Sequence, residues 1–297
     1  MKNSHILGII FVWTGAFFAQ PSFAAGTLRI EVNELFNLMP QNKVVILDAR
    51  PVSDYEDDHI PGARSLPFGR TFENLSQTGR VLPLQKAQVL FSSAGLKPDD
   101  MVVIYDSGLL LHAARVFWTL EVYGHANVRI LDGGINAWKQ AGYPMTDTPA
   151  GFSPTHYVPS INPARLATRL TTLVASRKPD SFVILDARTE PHYEGLQSEA
   201  SRFGHIPEAR NIAVTQNLSA DGSRLKPIQD LAKIYQDVPK SKKIITYCSI
   251  GLASSLEYMV LRELGYNVAN YDASWKEWGN DPALPVINPA TQGTGSR

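Results

Sequence analysis

Val45-Ile46-Leu47-Asp48-Ala49-Arg50 returns later in the chain as Val183-Ile184-Leu185-Asp186-Ala187-Arg188. The flanking segments repeat in the same order. His59-Ile60-Pro61-Gly62-Ala63-Arg64 pairs with His205-Ile206-Pro207-Glu208-Ala209-Arg210. Val102-Val103-Ile104-Tyr105-Asp106-Ser107 pairs with Ile244-Ile245-Thr246-Tyr247-Cys248-Ser249. Leu131-Asp132 followed by Trp138 pairs with Tyr271-Asp272 followed by Trp278. The offset between copies drifts by a few residues, as insertions between conserved-order elements would produce. The chain therefore reads as one domain duplicated in tandem, and its 297 residues are enough for two.

Each copy alternates short apolar runs with amphipathic stretches. Val44–Leu47, Met101–Tyr105 and Val128–Leu131 are expected strands, and Phe182–Leu185, Ile244–Tyr247 and Asn267–Asn270 are their counterparts. These runs are β-branched and continuous rather than alternating, as in strands covered on both faces. Ala253–Leu264 places Ala253, Leu256, Val260 and Leu264 at helical spacing. The fold class is α/β, with a parallel sheet flanked by helices in each half. Ligands of such sheets sit beyond the carboxyl ends of the strands.

The first domain is expected over residues 25–148 and the second over 164–289, with a tail at 290–297. Residues 149–163 carry Pro149, Pro154, Pro159 and Pro163, which disfavour helix and central strand and predict an extended linker. Residues 1–24 read as a secretory signal peptide. Lys2 supplies the positive start, Ile6–Ala19 is uncharged, and Ser22-Phe23-Ala24 offers small residues for cleavage. The apolar run is short for a membrane span. The mature protein is expected to be soluble, without membrane attachment after cleavage, and periplasmic or secreted.

Composition excludes several classes. Hydrophobic residues at 44% and charged residues at 19% are ordinary for a globular chain and unlike a disordered one. The 28 basic and 28 acidic residues balance, which argues against nucleic acid as a partner. One cysteine permits neither an internal disulfide nor a cysteine-cluster zinc site.

That cysteine, Cys248, follows the expected strand Ile244–Tyr247 and precedes the expected helix. The intervening loop is Ser249, Ile250, Gly251, Leu252 and Ala253. Backbone N–H groups at a helix start are unpaired and carry partial positive charge, so they stabilise an anionic sulfur. Gly251 leaves room for the backbone to curl round that anion.

These motifs together resemble the two-domain rhodanese family of sulfurtransferases, which act on thiosulfate or 3-mercaptopyruvate. The matching elements are Asp186-Ala187-Arg188, Gly204-His205-Ile206-Pro207, the Cys248 loop and Tyr271 to Gly279. Tyr105-Asp106 and Ala114 to Trp118 fit in the first half. The resemblance runs from about Leu28 to Asn288. It implies that Cys248 attacks the outer sulfur of a small donor anion and becomes a persulfide, held by the N–H groups of Ser249 through Ala253. A thiol or cyanide acceptor then removes the sulfur. The family chemistry needs no cofactor and no metal. Asp106 stands where Cys248 does in the other half. A carboxylate cannot accept sulfur, so the first domain is expected to be catalytically silent.

Arg188 and Arg202 are candidate contacts to the donor anion. Arg188 has an equivalent in Arg50, which also allows a purely internal ion pair. His192 stands where active two-domain members usually carry an arginine, and neutral histidine grips an anion less well. The resemblance offers His59 as a member of a first-domain proton-transfer group. Ser249 is nearer the mercaptopyruvate type, whereas His192 is not, so the donor stays open between thiosulfate and 3-mercaptopyruvate. A phosphatase would carry arginine where Ser254 stands, and a dithiol enzyme would need a second cysteine. A non-enzymatic persulfide carrier or regulatory module is the alternative of a different class.

Overall fold

The structure is a computed structural model and describes residues 27–41 and 43–292. The expected signal peptide lies outside the described residues. Two five-stranded sheets, all parallel, share one plan. In the first, β1 (Arg29–Ile30), β2 (Val44–Asp48), β3 (Arg64–Ser65), β4 (Met101–Tyr105) and β5 (Val128–Leu131) lie in the order β1-β5-β4-β2-β3. In the second, β6 (Leu166–Ala167), β7 (Phe182–Asp186), β8 (Ala209–Asn211), β9 (Lys243–Tyr247) and β10 (Val268–Tyr271) lie in the order β6-β10-β9-β7-β8. The central strands match the sequence expectation within a residue. The edge strands β1, β3, β6 and β8 have two or three residues each, too few to show any period.

Helices cover both faces of each sheet. The first half carries α1 (Val32–Leu38), α2 (Val52–Asp57), α3 (Leu84–Ser93), α4 (Leu111–Val122) and α5 (Gly134–Gln140). The second carries α6 (Arg169–Ala175), α7 (Glu190–Tyr193), α8 (Ile228–Ile234), α9 (Ala253–Glu263), α10 (Ser274–Trp278) and α11 (Pro289–Gln292). Apolar side chains form three layers. Ile135 and Trp138 belong to the outer layer of the first half, and Trp275 and Trp278 to that of the second. The middle layer is common to both halves: Phe117 and Trp118 of α4 belong to the same cluster as Leu256 and Met259 of α9.

Polar contacts tie the halves as well. The Tyr258 hydroxyl donates to Glu121 Oε2 at 2.5 Å, and Arg262 reaches Glu121 Oε1 at 3.0 Å. The Pro-rich segment has no regular structure, as expected, but it lies along the first half rather than hanging free. Tyr157 is buried against Phe91, and the Ser160 and Asn162 N–H groups donate to Tyr123 and Val122 carbonyls.

The repeated Asp-Ala-Arg element is a clamp at the end of β2 and of β7. Arg50 pairs with Asp48 at 2.7 Å, and Arg188 with Asp186 at 2.6 Å. Each aspartate also accepts a tyrosine hydroxyl from the neighbouring strand, Tyr105 or Tyr247. That hydroxyl in turn accepts the N–H of Ile60 or Ile206 in the His-Ile-Pro element. The duplication thus extends to individual hydrogen bonds. It fixes the carboxyl edges of the sheets, where the central strands β4 and β9 deliver their loops.

Candidate active site

Cys248 leaves the end of β9, the middle strand of its sheet, and the loop turns directly into α9. Its side chain is 2% exposed and belongs to the apolar layer common to both halves, but it also has polar neighbours. The Gly251 N–H donates to Sγ at 3.2 Å, and the Ser254 hydroxyl does so at 3.4 Å. No side chain caps the N-terminus of α9; Leu252 occupies the cap position. The N–H groups of that first turn are therefore not claimed by a Ser, Thr, Asn or Asp cap.

Two further residues fix the turn. Gly251 has φ +78°, and a Cβ there would collide with the Asp272 carbonyl. Ser274 has φ +53°, a conformation that costs a non-glycine residue energy. Its hydroxyl accepts the Cys248 N–H at 3.1 Å and donates to the Tyr271 carbonyl at 2.7 Å. The equivalent position in the first half is Gly134, at φ +57°. Ser274 was quoted within a motif, but its role depends on a hydrogen bond across the turn that no spacing reveals.

The first half offers a comparison. Asp106 leaves β4 as Cys248 leaves β9. Its Oδ1 accepts the N–H groups of Gly108 and Leu110, and its Oδ2 those of His112 and Ala113. These four bonds span 2.8 to 3.2 Å. The Cys248 turn stands at the same place but is built differently: its sulfur takes one N–H and one hydroxyl, and its positive φ falls at Gly251 rather than at the places of Gly108 and Leu110.

Each half also braces the other's turn. The Asp272 carboxylate accepts the Val81 N–H from the first half. The Asp132 carboxylate accepts the Leu225 N–H from the second at 3.1 Å. Burial pushes the Asp272 carboxyl above the usual carboxylate range, with Arg115 pulling it back down. Arg115 of α4 is wholly buried and sends Nη1 to the Gly251 carbonyl at 3.2 Å. It was noted within a matching motif, but its contact to the Cys248 loop crosses the chain and cannot be read from spacing.

The residues expected to contact the donor have internal partners in the fold. Arg188 is 4% exposed; its buried Nη1 has no hydrogen-bond partner, while its Nε and Nη2 bind Asp186 and the Gly204 carbonyl beside the Trp275 ring face. It is the internal ion pair that Arg50 also forms. Arg202 donates to the carbonyls of Gly279, Trp278, Asp281 and Leu284, and so fastens the segment before His205 to the end of α10. His59 is wholly buried and stacked on Tyr55, with its ring nitrogens against the Tyr55 and Thr148 carbonyls, which fixes its turn. His205 stacks on Tyr193 in the same way.

His192 reaches the loop through an intermediary that sequence reading missed. Its Nε2 lies 2.9 Å from Glu199 Oε1, and Nδ1 lies 2.7 Å from Thr189 Oγ1. Glu199 Oε2 accepts the Ser249 hydroxyl at 3.0 Å. A carboxylate thus stands at the loop, paired with the histidine that occupies the place expected for an arginine. Glu199 lies in an irregular segment with no motif around it, so nothing in the sequence singled it out. Ile250 packs its carbonyl toward Gly79, and the Ser249 carbonyl accepts the Lys276 N–H.

A family model for the rhodanese-like domain matches residues 31–141 and again 167–281. Over 270 residues the chain is 31% identical to the thiosulfate sulfurtransferase of Pseudomonas aeruginosa, covering 87% of this chain and 96% of that protein. It is 32% identical over 247 residues to the sulfur carrier protein TtuD of Thermus thermophilus, covering 78% and 86%. The fold matches SseA of Escherichia coli, a 3-mercaptopyruvate sulfurtransferase, with a TM-score of 0.74 at 24% identity, covering 84% and 99%. With both halves matched, and with a sulfur and a carboxylate at the same place after the middle strand of each sheet, this chain belongs to the rhodanese family.

Proposed function

We propose that this sulfurtransferase carries a sulfane sulfur on Cys248, taken from thiosulfate or 3-mercaptopyruvate and given to a thiol or cyanide. The Cys248 thiolate attacks the outer sulfur of the donor. A bond forms between the two sulfurs, and the donor's own bond to that sulfur breaks. The electron pair leaves with sulfite, or with the carbon of pyruvate, which then takes a proton. The acceptor attacks the same outer sulfur and returns Cys248 as thiolate. No external oxidant is needed, and the two half-reactions are separate.

One observation carries this reading. Cys248 Sγ stands at the uncapped start of α9 with the Gly251 N–H and the Ser254 hydroxyl already donating to it, so a persulfide anion there finds donors already aimed. The test is intact mass after exposure to each donor. The wild-type protein should gain one sulfur atom, mapped to Cys248, and Cys248→Ser should gain none and lose turnover. Transfer surviving in Cys248→Ser rules the mechanism out.

A persulfide carrier or regulatory module is the second reading. It is favoured by the 2% exposure of Cys248 and by the Glu199 carboxylate beside its loop. Slow turnover with every donor, alongside a long-lived loaded form, selects it. We place the protein in the periplasm or outside the cell on the charge and apolar pattern of residues 1–24. A mature chain beginning at Ala25 supports that, and a retained Met1 counts against it.

A further inference from the structure

We propose that Arg115, carried by the half without a nucleophile, is a positioning residue for sulfur transfer at Cys248. The inference rests on the Cys248 persulfide reading and deepens it.

Arg115 is fully buried on α4, held by first-half residues and by the Gly251 carbonyl of the second half. Its Nη1 donates to the Gly251 carbonyl at 3.2 Å, Nη2 to the Gly79 carbonyl at 3.3 Å, and Nε to Thr71 Oγ1 at 3.3 Å. Its carbon sits 3.9 Å from the Phe72 ring centre and 4.6 Å from that of Trp118. A guanidinium so gripped has one orientation, and its planar fork joins a first-half loop to the catalytic turn.

The consequence for the turn is geometric. The Gly251 N–H is the donor to Sγ. The Gly251 carbonyl belongs to the next peptide unit, whose N–H is that of Leu252. In a planar trans peptide the carbonyl and the N–H point in opposite directions. Fixing the Gly251 carbonyl on Arg115 therefore fixes the direction of the Leu252 N–H. The cation also polarises that peptide, strengthening its N–H as a donor. The Ser255 hydroxyl shares the same carbonyl at 2.7 Å, so the unit is held from two sides. A Cβ on Gly251 would meet Arg115 Nη1 as well as the Asp272 carbonyl, which shows how closely the guanidinium underlies the turn.

The duplication supplies a contrast. Glu257 stands on α9 at the same distance from Cys248 as Arg115 stands on α4 from Asp106. Both are wholly buried. The cation lies under the turn that must bear a transient anion. The turn around Asp106 already holds a fixed carboxylate with four donors, and the residue at the matching position, Glu257, meets Tyr235 of its own half instead. Burial brings Arg115 down to about 10, countered by Asp272 and Cys248, so it stays charged at neutral pH.

The test uses the full chain, with Arg115→Gln and Arg115→Lys compared with wild type. Steady-state kinetics, sulfur loading of Cys248 by mass and the thermal midpoint are measured together. We expect kcat to fall by at least about tenfold in Arg115→Gln, with KM within about twofold, as when aligned donors to a developing anion are lost. Arg115→Lys keeps the charge but not the fork and should fall between. Wild-type kcat in folded Arg115→Gln, with only the thermal midpoint lowered, overturns the proposal. Should Arg115→Gln fail to fold, the lysine variant decides: a lowered kcat at unchanged KM supports the proposal, and wild-type kcat overturns it. If wild-type Cys248 takes up no sulfur at all, the persulfide reading itself has failed, and that result is distinct from the others.

Discussion

At Glu199 a single carboxylate changes what the Cys248 loop presents to a donor. It accepts the Ser249 hydroxyl and pairs with His192, and its side chain is 57% exposed. An anion that approaches Cys248 meets this charge, and His192 offsets it only when protonated. Glu199→Gln keeps an oxygen acceptor for Ser249 and removes the charge. The KM for thiosulfate should then fall by about two- to fivefold at low ionic strength, and the gain should shrink with added salt. An unchanged KM at low salt would show that Glu199 plays no part in donor selection. Gly251 illustrates the opposite kind of constraint. Its positive φ and the closeness of Asp272 and Arg115 leave no volume for a side chain, so its identity is set by backbone and space rather than charge.

At the scale of elements, the two strand–turn–helix units give the clearest comparisons. Asp106 serves as an anion ligand for its own turn and for the start of α4. Asp106→Ala would leave four buried donors without their acceptor, a loss on the order of 3 kcal/mol or more. The denaturant midpoint should drop, yet turnover per folded molecule should stay near wild type, because Asp106 makes no bond to the Cys248 turn. A collapse of kcat in the folded variant would contradict a silent first turn. In α9, Glu257 is buried so completely that its carboxyl is raised well above 4.5, first by burial and then by Asp186 and Cys248. Its Oε2 has no hydrogen-bond partner. The folded state therefore keeps this proton where the unfolded chain has released it. The associated stability is complete below about pH 4.5 and is lost as pH rises through the folded-state value. Glu257→Gln, which cannot ionise, should gain stability over wild type as pH increases, read as thermal midpoint against pH. A constant difference across pH would show that the carboxyl does not titrate in this way.

At the scale of the whole molecule, the halves share one apolar layer and exchange loops at both turns. Neither sheet has a private core on its inner face: Leu120 and Val260 belong to the same cluster. The halves should therefore unfold as one unit. Calorimetry should give a single transition whose calorimetric and van't Hoff enthalpies agree. Two resolved transitions would show that the halves are independent. The same interlocking ties the first half to the Cys248 half: its Val81 N–H binds Asp272 and its Arg115 binds the Gly251 carbonyl.

Much of this was legible in the order of residues. The repeated Val-Ile-Leu-Asp-Ala-Arg run, the continuous β-branched strands and the strand–Cys–loop–helix order determine the duplicated α/β fold and place Cys248 at a sheet's carboxyl edge, because these signals are local and periodic. The roles of Arg188, Arg202 and His59 were not legible, since a charged side chain reads the same whether it faces a substrate or an internal carboxylate. Only tertiary structure brought Arg115, Val81, Glu199 and Ser274 to the Cys248 turn. Those contacts cross long stretches of chain and depend on how two packed sheets meet, which no local spacing encodes.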